Sequence, residues 1–290
     1  MTAALLLLVP ALLERPAGLL WRERMRAQRH IRPHVNPLQR RFQQVQLDTE
    51  AIAFARPAQP LHVDIGCGKG HFCADLAAAR PDLNVLGIEI REPLVDEARR
   101  LCALSGSGNL RFVAGSANVL LGACCEGLGG ELGSCSVQFP DPWPKRRHAK
   151  RRVVQPDLAA EIGRRLRPGG FVFLQSDVQE LLLEMRRTFL ESGHFEGEGE
   201  GGGGKGAERE LEQEHAWLGE SARPFDGVQT ERERQCARRG LPVWRATLLR
   251  AEAPATPREG GGVGEPLVPP PSFGPAAHGR LAESESDGPS

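Results

Sequence analysis

Residues 61–70 read LHVDIGCGKG. Leu61-His62-Val63-Asp64-Ile65 has the apolar, β-branched content of a strand, and Gly66, Gly68 and Gly70 follow at alternate positions. The glycines let the backbone turn tightly and approach a ligand closely. The next residues predict a helix over His71–Arg80, stopped by Pro81. Working outward, strands are expected at Asn84–Ile90, Leu110–Ala114, Cys135–Phe139 and Phe171–Gln175. Helices are expected at Glu92–Leu104, Pro156–Leu166 (closed by Arg-Pro-Gly-Gly) and Val178–Ser192. Val243–Leu249 reads as one more strand, closing the sheet at an edge. Strands alternating with helices of this length predict an α/β fold: a doubly wound, Rossmann-like sheet, mostly parallel with an antiparallel edge strand.

In such sheets ligands bind beyond the carboxyl ends of the strands. Those ends carry Asp64, Glu89, Ser116, Asp141 and Asp177, so four of the five tips are acidic and a shared cleft is expected. The glycine spacing is G-x-G-x-G, whereas the dinucleotide fingerprint is G-x-G-x-x-G. Asp64 stands just before the first glycine, where a carboxylate repels pyrophosphate and attracts a cationic ligand. Glu89 is placed to take two ribose hydroxyls. S-adenosylmethionine offers a sulfonium, an ammonium and a ribose but no phosphate, so the motif favours a methyltransferase over a dehydrogenase. Blander roles stand beside these: Gly66, Gly68 and Gly70 as a packing turn, Lys69 and His71 as surface residues, and Ser116 as the cap of the next helix.

Residues 139–152 read FPDPWPKRRHAKRR. Asp141 sits between two prolines, and each X-Pro step restricts the backbone on both sides. A stiff loop therefore aims one acid and the ring of Trp143 outward. Lys145, Arg146, Arg147, Lys150, Arg151 and Arg152 follow within eight positions and suit several phosphates. A fixed acid and ring beside phosphate-binding charge suggest a site acting on a nucleobase. Trp143 either stacks on that base or wedges the loop against the core. Arg151 and Arg152 either grip phosphate or pair with the acidic tips.

The formal net charge of zero hides segregation. Residues 196–214 carry about −5 and residues 251–290 about −4, leaving a body near +9 that favours a polyanionic partner. Seven cysteines without a CxxC pair indicate reduced thiols, an intracellular compartment and no metal site. The apolar stretch Ala3–Leu13 is too short to span a bilayer, so no membrane segment is expected, and its start lacks the basic residues of a secretory signal. Residues 15–41 hold eight Arg and one acid, which fits an organellar transit peptide or an RNA-binding arm. Cytoplasm and organelle both remain open. The expected organisation is an extension over residues 1–28, one domain over 29–250 with a flexible Gly/Glu-rich insertion at 196–207, and a disordered tail over 251–290.

With both motifs in view, the chain resembles the tRNA (guanine-N7)-methyltransferases, in their bacterial and plastid-type members, over roughly residues 29–250. The resemblance rests on HVNP at His34–Pro37, then VDIGCGKG, GIEI, FPDPWPKRRHAKRR and QTERE before GLPVWR, in the family's order. It implies the class I methyltransferase fold, S-adenosylmethionine as cofactor and a variable-loop guanosine of tRNA as target. Residue by residue, it implies that Asp64, Gly66, Gly68, Glu89 and Ser116 hold the cofactor. It also implies that Asp141 is the catalytic acid and a cofactor contact. Lys145, Asp177, Thr230, Glu231, Arg232 and Glu233 match substrate-binding positions. Ser116 replaces the family's usual Asp or Asn at the adenine edge. For Glu231 and Glu233 the sequence also allows an exposed helix start. Two alternatives stay open: an amino-group methyltransferase acting on adenine or protein, and a non-catalytic RNA-binding module with a degenerate cofactor pocket.

Overall fold

The computed structural model describes residues 35–43, 47, 52–197, 224–225 and 227–251. The extension over 1–28, His34 of the HVNP phrase, most of the expected insertion and nearly all of the expected tail lie outside these residues.

The elements run β1 (Leu61–Ile65), α1 (His71–Ala79), β2 (Asn84–Glu89), α2 (Glu92–Ser105), β3 (Leu110–Ala114), α3 (Ala117–Leu128) and β4 (Leu132–Gln138). They continue with α4 (Pro156–Arg165), β5 (Leu166–Ser176), α5 (Gln179–Glu191), β6 (Phe195–Gly197), α6 (Glu231–Arg239) and β7 (Trp244–Arg250). The seven strands form one sheet in the order β3-β2-β1-β4-β5-β7-β6. The first five pair in parallel, and β7 runs antiparallel against both β5 and β6. The doubly wound, mostly parallel sheet expected from the sequence is therefore present.

Three expectations need correction. The edge strand is β6, not β7: Phe195, Glu196 and Gly197 pair with Arg250, Leu249 and Leu248. Glu196 and Gly197, expected to begin a flexible insertion, are thus sheet residues. The Arg-Pro-Gly-Gly segment belongs to β5, which begins at Leu166. Ala251, expected to start the tail, is buried and donates its N–H to the His194 carbonyl at 3.0 Å.

The period-two alternation of the strands divides the core between the two faces of the sheet. Val63, Ile65, Cys135, Val137, Val172 and Leu174 pack with α3, α4 and α5 through Leu120, Leu158, Ile162, Leu182 and Phe189. On the other face Val85, Phe112 and Phe173 pack with α1 and α2 through Phe72, Leu76 and Val95, and with Phe225. Each such fully buried side chain contributes roughly 1.5–3 kcal/mol relative to exposure. The central strands place His62, Asp64, Ser134 and Ser136, all buried, on the α1 side. That polar inset lies beneath the cleft.

Candidate active site

The turn after β1 is glycine-rich for two separate reasons. Gly66, Gly68 and Gly70 all have positive φ, between 56° and 79°. A Cβ at Gly70 would come within 2.4 Å of the Phe112 ring, so Gly70 serves packing. A Cβ at Gly66 would meet nothing within 4 Å, and one at Gly68 only an Arg91 nitrogen at 3.9 Å. Those two therefore face open space into which a ligand can approach.

Two cavities flank this turn and share Gly66, Arg91 and Phe139. The larger, about 540 Å³, is lined by Asp64, Gly68, Lys69, His71, Gln138 and the start of α6 at Thr230, Glu231 and Arg232, among others. The smaller, about 140 Å³, is lined by Glu89, Ser116, Asn118, Asp141, Trp143 and Val35, among others. The expected cofactor residues thus line these two adjoining cavities, Asp64 and Gly68 the larger, Glu89, Ser116 and Asp141 the smaller, and Gly66 both.

Asp64 is 3 % exposed. Ser136 Oγ donates to its Oδ1 at 2.6 Å and Gln138 Nε2 to the same oxygen at 3.3 Å, while Cys73 Sγ lies 3.5 Å from Oδ2. Burial raises its pKa, against these hydrogen bonds. Among the described residues no Lys or Arg forms an ion pair with it. A buried acid without a cationic partner, beside two open glycines, fits the positive end of S-adenosylmethionine. Glu89 is equally buried and accepts the Gly68 N–H at 2.9 Å. Its two oxygens also take the Arg91 guanidinium at 2.9 and 3.1 Å. Arg91, which the sequence reading passed over, stands where the ribose hydroxyls would reach Glu89. Its position two residues beyond that acid was the available signal.

Ser116 is buried and precedes α3, but its side chain makes no capping bond. It stands at the N-cap position through its backbone carbonyl alone, and the residue lines the smaller cavity.

The FPDPW loop is held in an unusual backbone shape. Phe139 and Trp143 have φ of 49° and 43°, the two positive values among the described non-glycine residues. For bulky residues each costs on the order of 1–3 kcal/mol and persists only when the surroundings impose it. Here Phe139 N–H donates to the Gln175 carbonyl at 2.7 Å. Arg152, 7 % exposed, donates to the carbonyls of Pro142 at 3.0 Å and Trp143 at 3.3 Å, and pairs with Glu184. Arg152 therefore clamps the loop to α5. Trp143 lies edge-on to His148 at 5.7 Å and under the Arg151 guanidinium at 5.0 Å. It packs on the basic turn that follows and lines the smaller cavity. Lys145, Arg146, Arg147 and Lys150 remain exposed on a 3-10 turn beside it.

The substrate-matching residues separate into two groups. Thr230 accepts the Glu233 N–H at 3.0 Å and caps α6, so the exposed helix start holds for Glu231 but not for Glu233, which is buried. Glu231 is exposed and lies 3.1 Å from His71 Nδ1, and Arg232 pairs with Asp177. These face the larger cavity or its rim. His71, read as a surface residue, has a side chain only 11 % exposed, and burial lowers its pKa. Glu233 points the other way. It is 4 % exposed and forms a 2.7 Å ion pair with buried Arg245 of β7, so it anchors α6 to the sheet rather than facing the cleft.

A family model described as "Putative methyltransferase" matches residues 58–246. A protein of Microcystis aeruginosa named tRNA (guanine-N(7)-)-methyltransferase is 40% identical over 219 residues, 74% of this chain and 95% of that protein. Its namesake in a Synechococcus strain is 41% identical over 221 residues, 76% of this chain and 85% of its own length. The chain belongs to the tRNA (guanine-N7)-methyltransferase family. Membership in this family sets the dehydrogenase reading aside. Among the described residues no helix is long and apolar enough to cross a membrane, and no cluster of three or more His, Cys, Asp or Glu could hold a metal.

Proposed function

We propose that this protein methylates N7 of a guanine in tRNA, with S-adenosylmethionine as methyl donor. One observation carries the reading: Asp141 of the strained elbow lines the same cavity as Glu89, Ser116 and Gly66. An acid next to a nucleobase and an acid next to a ribose thereby share one cleft. The finer assignment is a variable-loop guanosine, and the domain doing the work spans residues 29–250. The described part of this chain suits cytoplasm or plastid equally.

When bound, the cofactor supplies an electrophilic methyl on a sulfonium. Guanine N7 carries an in-plane lone pair, so no base has to remove a proton before attack. The protein's task is alignment, which can supply roughly 7–11 kcal/mol of barrier reduction. Asp64 offers charge to the cationic end, and Glu89 accepts from the ribose once Arg91 gives way. Ser116 reaches the adenine edge with a hydroxyl that can donate or accept. Asp141 accepts hydrogen bonds from the Watson–Crick edge of the guanine and offsets the positive charge that develops on the ring. The target leaves its stack to reach this depth. Lys145 and its exposed basic neighbours hold the phosphates around it, and Thr230, Glu231, Arg232 and Asp177 border the opposite rim.

The test is incubation with unmodified tRNA and labelled cofactor, followed by borohydride and aniline. Cleavage at a single variable-loop guanosine is expected. Incorporated label without cleavage would indicate amino-group methylation instead, and no label with no heat of cofactor binding would indicate a degenerate pocket.

A further inference from the structure

A chain of hydrogen bonds runs beneath the cleft and ends on Asp64. His62 is fully buried, with Nδ1 2.8 Å from Ser134 Oγ and Nε2 3.1 Å from Ser136 Oγ. Ser136 Oγ lies 2.6 Å from Asp64 Oδ1. The register of β1 against β4 produces this line, because His62 pairs with Ser134 and Asp64 with Ser136. The surrounding layer is apolar, with Phe72 and Phe225 edge-on to the imidazole at 6.2 and 4.9 Å. A polar group left unpaired in such a layer is strongly destabilising, so these four satisfy one another.

Proton counting fixes the direction of the chain. An ionised carboxylate only accepts, and a hydroxyl has one proton to give. With Asp64 charged, the Ser136 hydroxyl donates its hydrogen bond to Asp64 and presents a lone pair to His62. Nε2 must then carry the imidazole hydrogen, and Nδ1 accepts from Ser134. With Asp64 protonated on Oδ1, every donor reverses and the hydrogen moves to Nδ1. Burial lowers the His62 pKa to about 3, so the ring stays neutral and the two tautomers are its working states.

We propose that Ser136 and His62 are positioning residues that hold the cofactor-binding carboxylate charged and aimed at the cleft, with the His62 tautomer locked to the state of Asp64. The proposal rests on the reading of Asp64 as a cofactor ligand. The groups that contact Asp64 or act on it electrostatically are Ser136, Gln138 and Cys135 of β4, Cys73 of α1, Cys67 of the turn and Glu89 of β2, none of them a cation, while Lys69, His71 and Arg91 line the same cavity. Those facing His62 are the two serines, Phe72 and Phe225. Burial raises the Asp64 pKa and the Ser136 hydrogen bond opposes that rise. Removing the hydroxyl therefore pushes the pKa higher, and the charged form is lost at a higher pH than in the native protein.

The experiment is cofactor calorimetry on the full chain across about pH 6–9, for the native protein, Ser136→Ala and Asp64→Asn, with ¹⁵N-histidine spectra of the native protein. Ser136→Ala should bind S-adenosylmethionine about tenfold more weakly near neutral pH, and its affinity should fall away at a higher pH. His62, assigned by its displacement in Ser134→Ala, should be the Nε2–H tautomer with cofactor bound. Unchanged affinity and pH profile in Ser136→Ala, alongside loss of binding in Asp64→Asn, would overturn the relay while leaving the cofactor assignment in place. Native affinity in Asp64→Asn would overturn that assignment and the relay with it. Should Ser136→Ala fail to fold, the native tautomer decides: Nδ1–H with cofactor bound contradicts the proposal.

Discussion

The backbone N–H of Gly68 donates to Oε2 of Glu89 at 2.9 Å, which ties the glycine turn to the tip of the neighbouring strand. Arg91 holds both oxygens of the same carboxylate. Glu89 therefore shapes the cleft, and the proposed function requires Arg91 to yield both oxygens to two ribose hydroxyls. Glu89→Gln keeps the shape and the acceptor facing Gly68 but removes the charge. A hydrogen bond to a charged group contributes roughly 1.5–3 kcal/mol, so cofactor affinity should fall about 10- to 100-fold. Calorimetry with S-adenosylmethionine checks this, and native affinity in the variant would remove Glu89 from the ribose.

The buried pair between Glu233 and Arg245 separates anchoring from substrate binding. Removing one partner of a buried pair leaves an uncompensated charge and costs about 3–5 kcal/mol. Glu233→Ala should lower stability to urea by that amount. The double variant Glu233→Leu/Arg245→Met should recover most of it. A stable Glu233→Ala that loses only tRNA binding would return the residue to the substrate site.

Charge reversal at Lys145 and Arg146 should weaken tRNA binding and flatten its salt dependence, by about one unit of slope for each phosphate no longer neutralised. Filter binding over a salt series measures this. Both side chains are exposed on the 3-10 turn, so the fold should survive. An unchanged slope would take the basic run away from the phosphates.

His62 makes stability depend on pH. The unfolded ring binds a proton as pH falls through about 6.5, while the folded ring resists until about 3. Its contribution is thus complete above the unfolded pKa and declines as pH falls through that window. Asp64, with a raised pKa, acts in the opposite sense, so Asp64→Asn removes that opposing contribution and leaves His62 acting together with His71 and His194, whose pKa values burial also lowers. Urea stability of that variant should fall between pH 7 and 5, with His62 supplying up to ~1.4 kcal/mol per pH unit. A flat profile would mean that His62 is not held neutral.

The alternation of strands and helices was legible because β1, β2, β3 and β5 end at or beside a glycine or an acid, and Asp64 and Glu89 stand at such ends. The edge strand β6 was not, because Phe195–Gly197 is three residues long and opens a run of Gly and Glu without alternation. Nor was the elbow's backbone: nothing in Phe139 or Trp143 announces a positive φ, which depends on Arg152 and Gln175 gripping the loop from distant positions. The basic run was legible as charge, yet Arg152 proved buried because its partner Glu184 lies 32 residues away on α5. Glu233 was misdirected for the same reason, since only the fold brings Arg245 beneath it.

The most direct test of the account is methyl transfer to unmodified tRNA by Asp141→Ala, measured in a single turnover at saturating cofactor and tRNA. Misplacing a reactant by about 1 Å can cost 10²-fold, so the rate should fall at least about 100-fold while circular dichroism stays native. A folded Asp141→Ala that transfers the methyl group at the native rate would contradict it.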